Sequence, residues 1–155
     1  MNKLAGISIL VLAGVGLVGT AWATTFKVMG SGCVQNFTTA SEIKYDASNF
    51  GTAVNSSTSR RNHYCGGGTA NLDKTLQSIT VKVIDRSTAE GVECRALNGS
   101  FAVGPVASAG SDASFKSLVL NITDSQWLET SVRCDIPPFA GGLGSGVSII
   151  DYVTN

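Results

Sequence analysis

The chain contains 155 residues, of which 43% are hydrophobic and 14% are charged. Its 11 basic and 11 acidic residues balance and are dispersed, so we expect no binding to nucleic acid, which needs a concentrated basic surface. One histidine and four widely spaced cysteines do not match the short ligand spacings of a zinc site, and we expect neither a metal nor a cofactor.

The first 23 residues predict a secretory signal peptide. Lys3 supplies a positive charge, residues 4–18 are almost entirely apolar, and Ala21-Trp22-Ala23 places small residues where signal peptidase reads them. We expect cleavage between Ala23 and Thr24, which leaves residues 24–155 as a single domain with no stable membrane insertion. An uncleaved membrane anchor is the alternative, but the glycines and alanines within the apolar run and the Ala-x-Ala ending favour cleavage.

The remaining chain predicts short strands and almost no helix. Apolar and polar residues alternate with a period of two in many segments, which glycine, asparagine and serine separate. Residues 70–76 are the one candidate for a helical turn. The predicted strands, besides a central pair described next, cover residues 26–29, 42–45, 51–54, 61–65, 101–103, 114–122, 131–136 and 147–153.

The central segment, residues 78–97, predicts a β-hairpin. Its first strand alternates Ile79, Val81 and Val83 with polar residues, and its second strand places Cys94 and Ala96 on one face after a polar loop. Short strands at this spacing indicate an all-β fold. We expect a single antiparallel β-sandwich, jelly-roll-like or immunoglobulin-like, stabilised by disulfides.

Four cysteines behind a secretory signal predict two disulfides. Cys94 and Cys134 each lie on the apolar face of a predicted strand, so we expect them to pair, which leaves Cys33 to pair with Cys65.

The charges beside these cysteines restrict the geometry of the pair. If the two strands were antiparallel neighbours with the cysteines directly opposite, Glu93 would face Asp135 and Arg95 would face Arg133. Like charges in opposed positions destabilise a sheet. We therefore expect the Cys94–Cys134 disulfide to cross the core between two sheets.

Three short motifs resemble a widespread group of small secreted bacterial proteins of unknown function. The motifs are NSST at residues 55–58, VIDRST at residues 83–88 followed by VEC at 92–94, and VRCDIPP at 132–138 before the terminal GSGVSIIDY. The resemblance implies an exported bacterial β-sandwich with paired cysteines, and it implies no catalytic motif.

Few residues indicate catalysis. His63 is the only histidine, and no motif places a serine on a strained turn as a nucleophile would require, so we interpret His63 as a solvated or hydrogen-bonded strand residue. The carboxylates are scattered, and for Asp85 we expect a bond to the backbone of its own turn. A secreted hydrolase that uses His63 or a pair of carboxylates is nevertheless an alternative.

Two other features could indicate a function, but each also has a simpler structural explanation. Residues 141–146 (GGLGSG) lack the lysine and the following helix of a phosphate loop, and we interpret them as a flexible connection between the last two strands. Trp127 could stack on a sugar ring, although packing into the core is the more common fate of such a residue.

Together these patterns favour an exported, non-enzymatic binding or structural module at the cell surface, in the periplasm or in the medium. Its partner would be a surface glycan or a protein. A second alternative to this function is a subunit of a surface assembly that is joined by strand addition, which requires an open sheet edge. The terminal strand at residues 147–153 resembles a pilin-like end.

Cleavage of the signal peptide can be tested directly. Intact-mass measurement of the protein from its native host should show a chain that begins at Thr24, because the small residues before it form the cleavage site. Recovery of the full-length chain embedded in the membrane would contradict the prediction.

Overall fold

The computed structural model describes residues 24–35, 43–47, 51–66, 76–98, 101–108, 114–122, 130–139, 141 and 144–154. Within these ranges the regular structure is almost entirely β-strand, and no helix is long and apolar enough to cross a membrane. The strands are β1 (Thr24–Met29), β2 (Cys33–Gln35), β3 (Ile43–Asp46), β4 (Thr52–Asn55), β5 (Arg61–Cys65), β6 (Leu76–Ile84), β7 (Glu93–Asn98), β8 (Phe101–Ala107), β9 (Phe115–Asn121), β10 (Ser131–Ile136) and β11 (Gly146–Thr154).

The strands form two antiparallel sheets. The larger sheet has the order β3-β4-β11-β6-β9, and β1 pairs with β11 on the same side as β4. The smaller sheet has the order β2-β5-β10-β7-β8. Apolar residues from both sheets form one buried cluster, which includes Ile79, Val81 and Leu120 from the larger sheet and Ala96 and Val132 from the smaller one. The predicted all-β sandwich with disulfides is therefore confirmed.

The predicted central hairpin is wrong. β6 pairs with β11 and β9, whereas β7 pairs with β10 and β8, so the two strands lie in different sheets. The loop at residues 85–92 crosses from one sheet to the other. Val81 and Cys94 are both fully buried, because their apolar faces pack toward a shared core instead of lying side by side in one layer.

Several strand boundaries differ from the prediction for identifiable reasons. The short strand β2 was not predicted, since its three residues are held by pairing with β5 and by a disulfide. β8 extends to Ala107 although it contains Pro105, which is tolerated because β8 is the edge strand of its sheet. Leu76 begins β6, and the rest of the predicted helical turn lies outside the described residues.

Both predicted disulfide pairings are confirmed. Cys33 pairs with Cys65, and Cys94 pairs with Cys134. The expected bridge between sheets is wrong, because each disulfide joins neighbouring strands of the smaller sheet, with Cα–Cα distances of 3.9 and 4.1 Å. All four cysteines are fully buried on the core face. Two such disulfides indicate an oxidising compartment, extracellular or periplasmic.

The like charges that argued against neighbouring strands do face each other. Glu93 lies opposite Asp135, and Arg95 lies opposite Arg133. Diagonal contacts offset the repulsion: Asp135 is 3.0 Å from Arg133 Nε and 3.7 Å from Arg95 Nη2, and Arg60 Nη2 is 3.7 Å from Glu93. Each charge therefore has an opposite charge beside it on the outer face, and the register required by the disulfide is tolerated.

Removal of either disulfide should destabilise the fold by about 4 kcal/mol, because the bonds close loops with sequence separations of 32 and 40 residues. Urea denaturation of the double variants Cys33→Ala/Cys65→Ala and Cys94→Ala/Cys134→Ala would measure the loss. Peptide mapping without reduction is the control for pairing, and a Cys33–Cys94 peptide would contradict the structure.

Candidate functional site

A β-bulge in β11 shapes the outer face of the larger sheet. Val147 lies opposite Val83 and Ile149 lies opposite Lys82, so Ser148 is an additional residue in β11. Val147 and Ile150 are both fully buried in the core. Strict alternation would place Val147 and Ile149 on one face, but the bulge turns both Ser148 and Ile149 away from the core.

The bulge forms one wall of a shallow cavity of about 310 Å³, which we call the Lys82 pocket. Ser117 lies opposite Lys82 on β9, and Phe115 lies two residues before Ser117 on the same strand. The pocket is thus lined by one cation, one aromatic ring, two hydroxyls and an aliphatic side chain, from Lys82, Phe115, Ser117, Ser148 and Ile149. Its volume is at the lower end of the range of about 300–1,000 Å³ that is usual for small-molecule sites.

The polar groups of the Lys82 pocket have no partners within the part of the chain that the structure describes. Neither the Lys82 ammonium nor the hydroxyls of Ser117 and Ser148 make a hydrogen bond or an ion pair there. Asp151, two residues after Ile149 on β11, is already paired with Lys27 at 2.8 Å. Phe115 is 43% exposed. Ser117 is exposed, whereas Ser148 is only 2% exposed and lies at the floor of the pocket. The cation, the Ser117 hydroxyl and the accessible ring together give the pocket the donors and the apolar surface of a ligand site.

Sequence reasoning did not single out any residue of this pocket. The one usable signal was the face of β9 that carries Phe115 and Ser117, because it lies opposite the buried face formed by Leu118 and Leu120. An aromatic residue on the outer face of a strand is a hint of a binding surface. Strict alternation does not predict the bulge that completes the pocket, although the adjacent Ile149 and Ile150 depart from a period of two.

His63 lies in the core and not at a surface site. It is fully buried on the inner face of β5, opposite Cys134 of β10. Neither imidazole nitrogen has a hydrogen-bond partner of good geometry among the described residues, and the ring is sealed from solvent, so the expectation of a solvated histidine is wrong. Burial lowers the pKa of His63 to about 4, and a polar contact with the Ala53 backbone opposes this shift only in part. The neutral ring cannot reach a substrate in solvent.

Asp85 and Asn55 form a buried polar cluster at one end of the sandwich, which we call the polar end. Asp85 accepts hydrogen bonds from the Ser87 N–H at 3.1 Å, from Ser108 Oγ at 2.6 Å and from Ser145 Oγ at 3.4 Å. The predicted bond from Asp85 to the backbone of its turn is confirmed. The two hydroxyl contacts come from distant parts of the chain, and they make Asp85 a link between the sheets.

Asn55 completes the polar end. Its amide group donates to the carbonyl oxygens of Ser59, Ile136 and Pro137 at 2.9 to 3.2 Å, and its side-chain oxygen accepts from the Ser57 N–H at 2.8 Å. Asn55 ends β4 in the larger sheet, whereas Ile136 ends β10 in the smaller sheet. The NSST motif therefore has a structural role.

Arginines compensate three further carboxylates of the described residues. Glu90 lies 2.7 Å from Arg60, and the facing pair Glu93 and Asp135 is surrounded by arginines on an outer sheet face. Asp112, Asp124 and Glu129 lie outside the described residues, as do Trp127 and Ala23. Thr24, which follows the predicted cleavage site, begins β1. Within the described ranges, no three histidine, cysteine or acidic side chains converge to hold a metal ion.

The glycine-rich segment before β11 is packed where the structure describes it. A Cβ atom at Gly144 would collide with the carbonyl oxygen of Asn55, and one at Gly146 would collide with that of Ala53. These glycines allow the chain to approach β4 closely, which replaces the interpretation of a flexible connection for this end of the segment. Gly142 and Leu143 lie outside the described residues.

The terminal strand is not an open edge. β11 pairs with β6 on one side and with β4 and β1 on the other. Residues 147–153 therefore do not form an open sheet edge within the described residues.

No protein-family model and no curated protein matches this chain. A function must therefore be inferred from the geometry of the described residues.

His63 should make the protein less stable in acid. The unfolded chain binds a proton at His63 below about pH 6.5, whereas the folded protein does so only near pH 4, so the free energy of unfolding should fall by about 3 kcal/mol as pH decreases through this window. Urea denaturation at pH 7, 5.5 and 4 measures the change. Carboxylates also titrate in this range, so His63→Leu is the control: it should retain their contribution and lose that of histidine. Equal pH dependence in both proteins would contradict the assignment.

Proposed function

We propose that this chain is an exported, non-enzymatic glycan-binding module. In this proposal residues 1–23 direct export and are removed, and the Lys82 pocket binds the ligand. The observation that carries the proposal is one cavity on the sheet that combines accessible Phe115 with the exposed Ser117 hydroxyl and with Lys82, which has no partner among the described residues.

This set of groups suits a sugar. The apolar face of a pyranose ring can stack on an aromatic side chain, and its hydroxyls can exchange hydrogen bonds with a serine hydroxyl and an ammonium group. The pocket is built on three hydrogen-bonded strands, β11, β6 and β9, so its lining residues are held in place before the ligand arrives. Such preorganisation reduces the entropic cost of binding.

The surroundings of the potential catalytic groups support binding without catalysis. His63 is sealed in the core, and the described carboxylates discussed above are hydrogen-bonded or paired with arginines. None of them lines the Lys82 pocket. A hydrolase that uses His63 would need the core to open before its imidazole could contact a substrate.

The resemblance to small secreted bacterial proteins also supports a role outside the cytosol. The two buried disulfides fit this location. A stable sandwich with a shallow, open pocket is suited to holding a surface polysaccharide, of which it would contact one or two sugar units at a time.

Substitution of Phe115 tests the proposal. The mature chain is titrated with soluble oligosaccharides from dextran, xylan, chitin, galacturonan and alginate, with binding measured by calorimetry. At least one should bind, and Phe115→Ala should weaken that binding at least tenfold, or about 1.4 kcal/mol, because it removes the stacking surface.

Val119→Ala is the matched control. Val119 lies on the same strand and is 46% exposed, against 43% for Phe115, but it does not line the pocket. It should bind like the wild type. Three results would count against the proposal: no oligosaccharide binds, both variants weaken binding equally, or new reducing ends accumulate during incubation.

A further inference from the structure

We infer that the ligand of the Lys82 pocket is an acidic sugar whose carboxylate pairs with the Lys82 ammonium, as in a uronic acid unit of a polysaccharide. This inference rests on the proposed function and narrows its ligand class. On the outer face of the larger sheet, one described lysine is paired with an aspartate and Lys82 is not.

Lys82 and Lys27 both lie on the outer face of the larger sheet, but of these two only Lys27 has an acidic partner among the described residues. Lys27 on β1 pairs with Asp151 at 2.8 Å, and Asp151 lies in the row of residues next to that of Lys82. Lys82 itself has no acidic partner in the described ranges and points into a cavity lined by Phe115 and Ile149. Apolar surface beside a cation excludes water, and charges attract each other more strongly where there is less water. An anion bound to Lys82 would therefore be held more tightly than an anion bound to a lysine on an open surface.

The charges around the Lys82 pocket favour a ligand that carries a single negative charge. Among the described residues, Lys82 is the only charged one that lines the pocket, and the carboxylate of Asp151 lies on the same face. A phosphate dianion would meet only one cation, because Lys27 is already paired with Asp151. A carboxylate matches the one ammonium, and the exposed hydroxyl of Ser117 remains to bind a hydroxyl of the sugar ring, whereas Ser148, which is 2% exposed, forms part of the pocket floor.

The arrangement of the residues around Lys82 fits one sugar unit whose carboxylate lies at the centre. Ser148 and Ile149 lie opposite Lys82 on one side, and Ser117 lies opposite it on the other. Lys82 is thus flanked by a hydroxyl on each neighbouring strand. Phe115 lies to one side of this row, where its exposed ring can cover the apolar face of the same sugar.

Paired probes separate the acid from the rest of the sugar. Galacturonate, mannuronate and glucuronate oligosaccharides are each compared with their methyl esters, which keep the ring and its hydroxyls but lose the charge. At least one acid should bind about tenfold more tightly than its ester. Lys82→Met should reduce the affinity for that acid to the level of the ester, without weakening binding of the ester. Lys82→Arg should keep most of the preference, and Lys82→Gln serves if the methionine variant fails to fold by circular dichroism.

Lys44→Met is the matched charge control. Lys44 is an exposed residue of β3, the strand at the far edge of the same sheet from β9, and its substitution changes the net charge equally. It should leave the preference for the acid intact. An equal loss in Lys44→Met and Lys82→Met would show long-range attraction and overturn the inference.

The remaining outcomes distinguish the inference from the proposed function. If esters or neutral oligosaccharides bind as tightly as the acids and Phe115→Ala abolishes that binding, the acidic ligand is wrong and the glycan-binding function stands. If neither neutral nor acidic oligosaccharides bind, both are wrong.

Discussion

The hydrogen bonds of the polar end determine how the two sheets lie against each other. Asp85 directly follows β6 of the larger sheet and accepts a hydrogen bond from Ser108, which directly follows β8 of the smaller sheet. Asn55 ends β4 and donates to the carbonyl oxygens of Ile136 and Pro137 at the end of β10. A buried polar group that loses its partners costs about 1–3 kcal/mol. These groups are satisfied in one arrangement of the sheets, and any displacement of one sheet would break several of their bonds together.

The polar end also explains why the sequence contains its short motifs. NSST begins with Asn55, VIDRST contains Asp85 and Arg86, and GSG contains Ser145. Arg86 Nη1 donates to the Gly144 carbonyl at 2.7 Å, and the Arg86 N–H donates to Ser145 Oγ at 2.8 Å. The motifs lie far apart in the chain and meet at one end of the molecule, where they hold the loops that cross between the sheets. Their residues are explained by folding and need no catalytic role.

The two sheets have different roles: the smaller one carries the disulfides, and the larger one carries the Lys82 pocket. The smaller sheet carries both disulfides on its core face and the paired charges on its outer face, so its strands are fixed in register by covalent bonds and by salt bridges. The larger sheet has no disulfide among its described strands, and β11 at its centre carries the bulge that forms the Lys82 pocket. A bulge interrupts strand pairing, and here β6 on one side of β11 and β4 and β1 on the other support it.

The amino-acid sequence by itself determined the features that depend on neighbours along the chain. The alternation in β9 and β10 identified Leu118, Leu120, Val132 and Cys134 as core residues, since side chains two positions apart share a face. The apolar faces of the strands that carry Cys94 and Cys134 were enough to predict the disulfide pairing, and turn chemistry predicted the bond from Asp85 to its own loop.

Only the tertiary structure decided which strands share a sheet and which side chains meet. The alternation of β6 and β7 is the same whether they form a hairpin or face each other across the core, so the prediction of a hairpin was wrong. Glu93 and Asp135 tolerate their opposition because Arg60, Arg95 and Arg133 converge on them from three segments. The Lys82 pocket joins residues of β6, β9 and β11 through a bulge that breaks the period of two. Pairing between distant strands is set by packing and hydrogen bonds, which local patterns do not record.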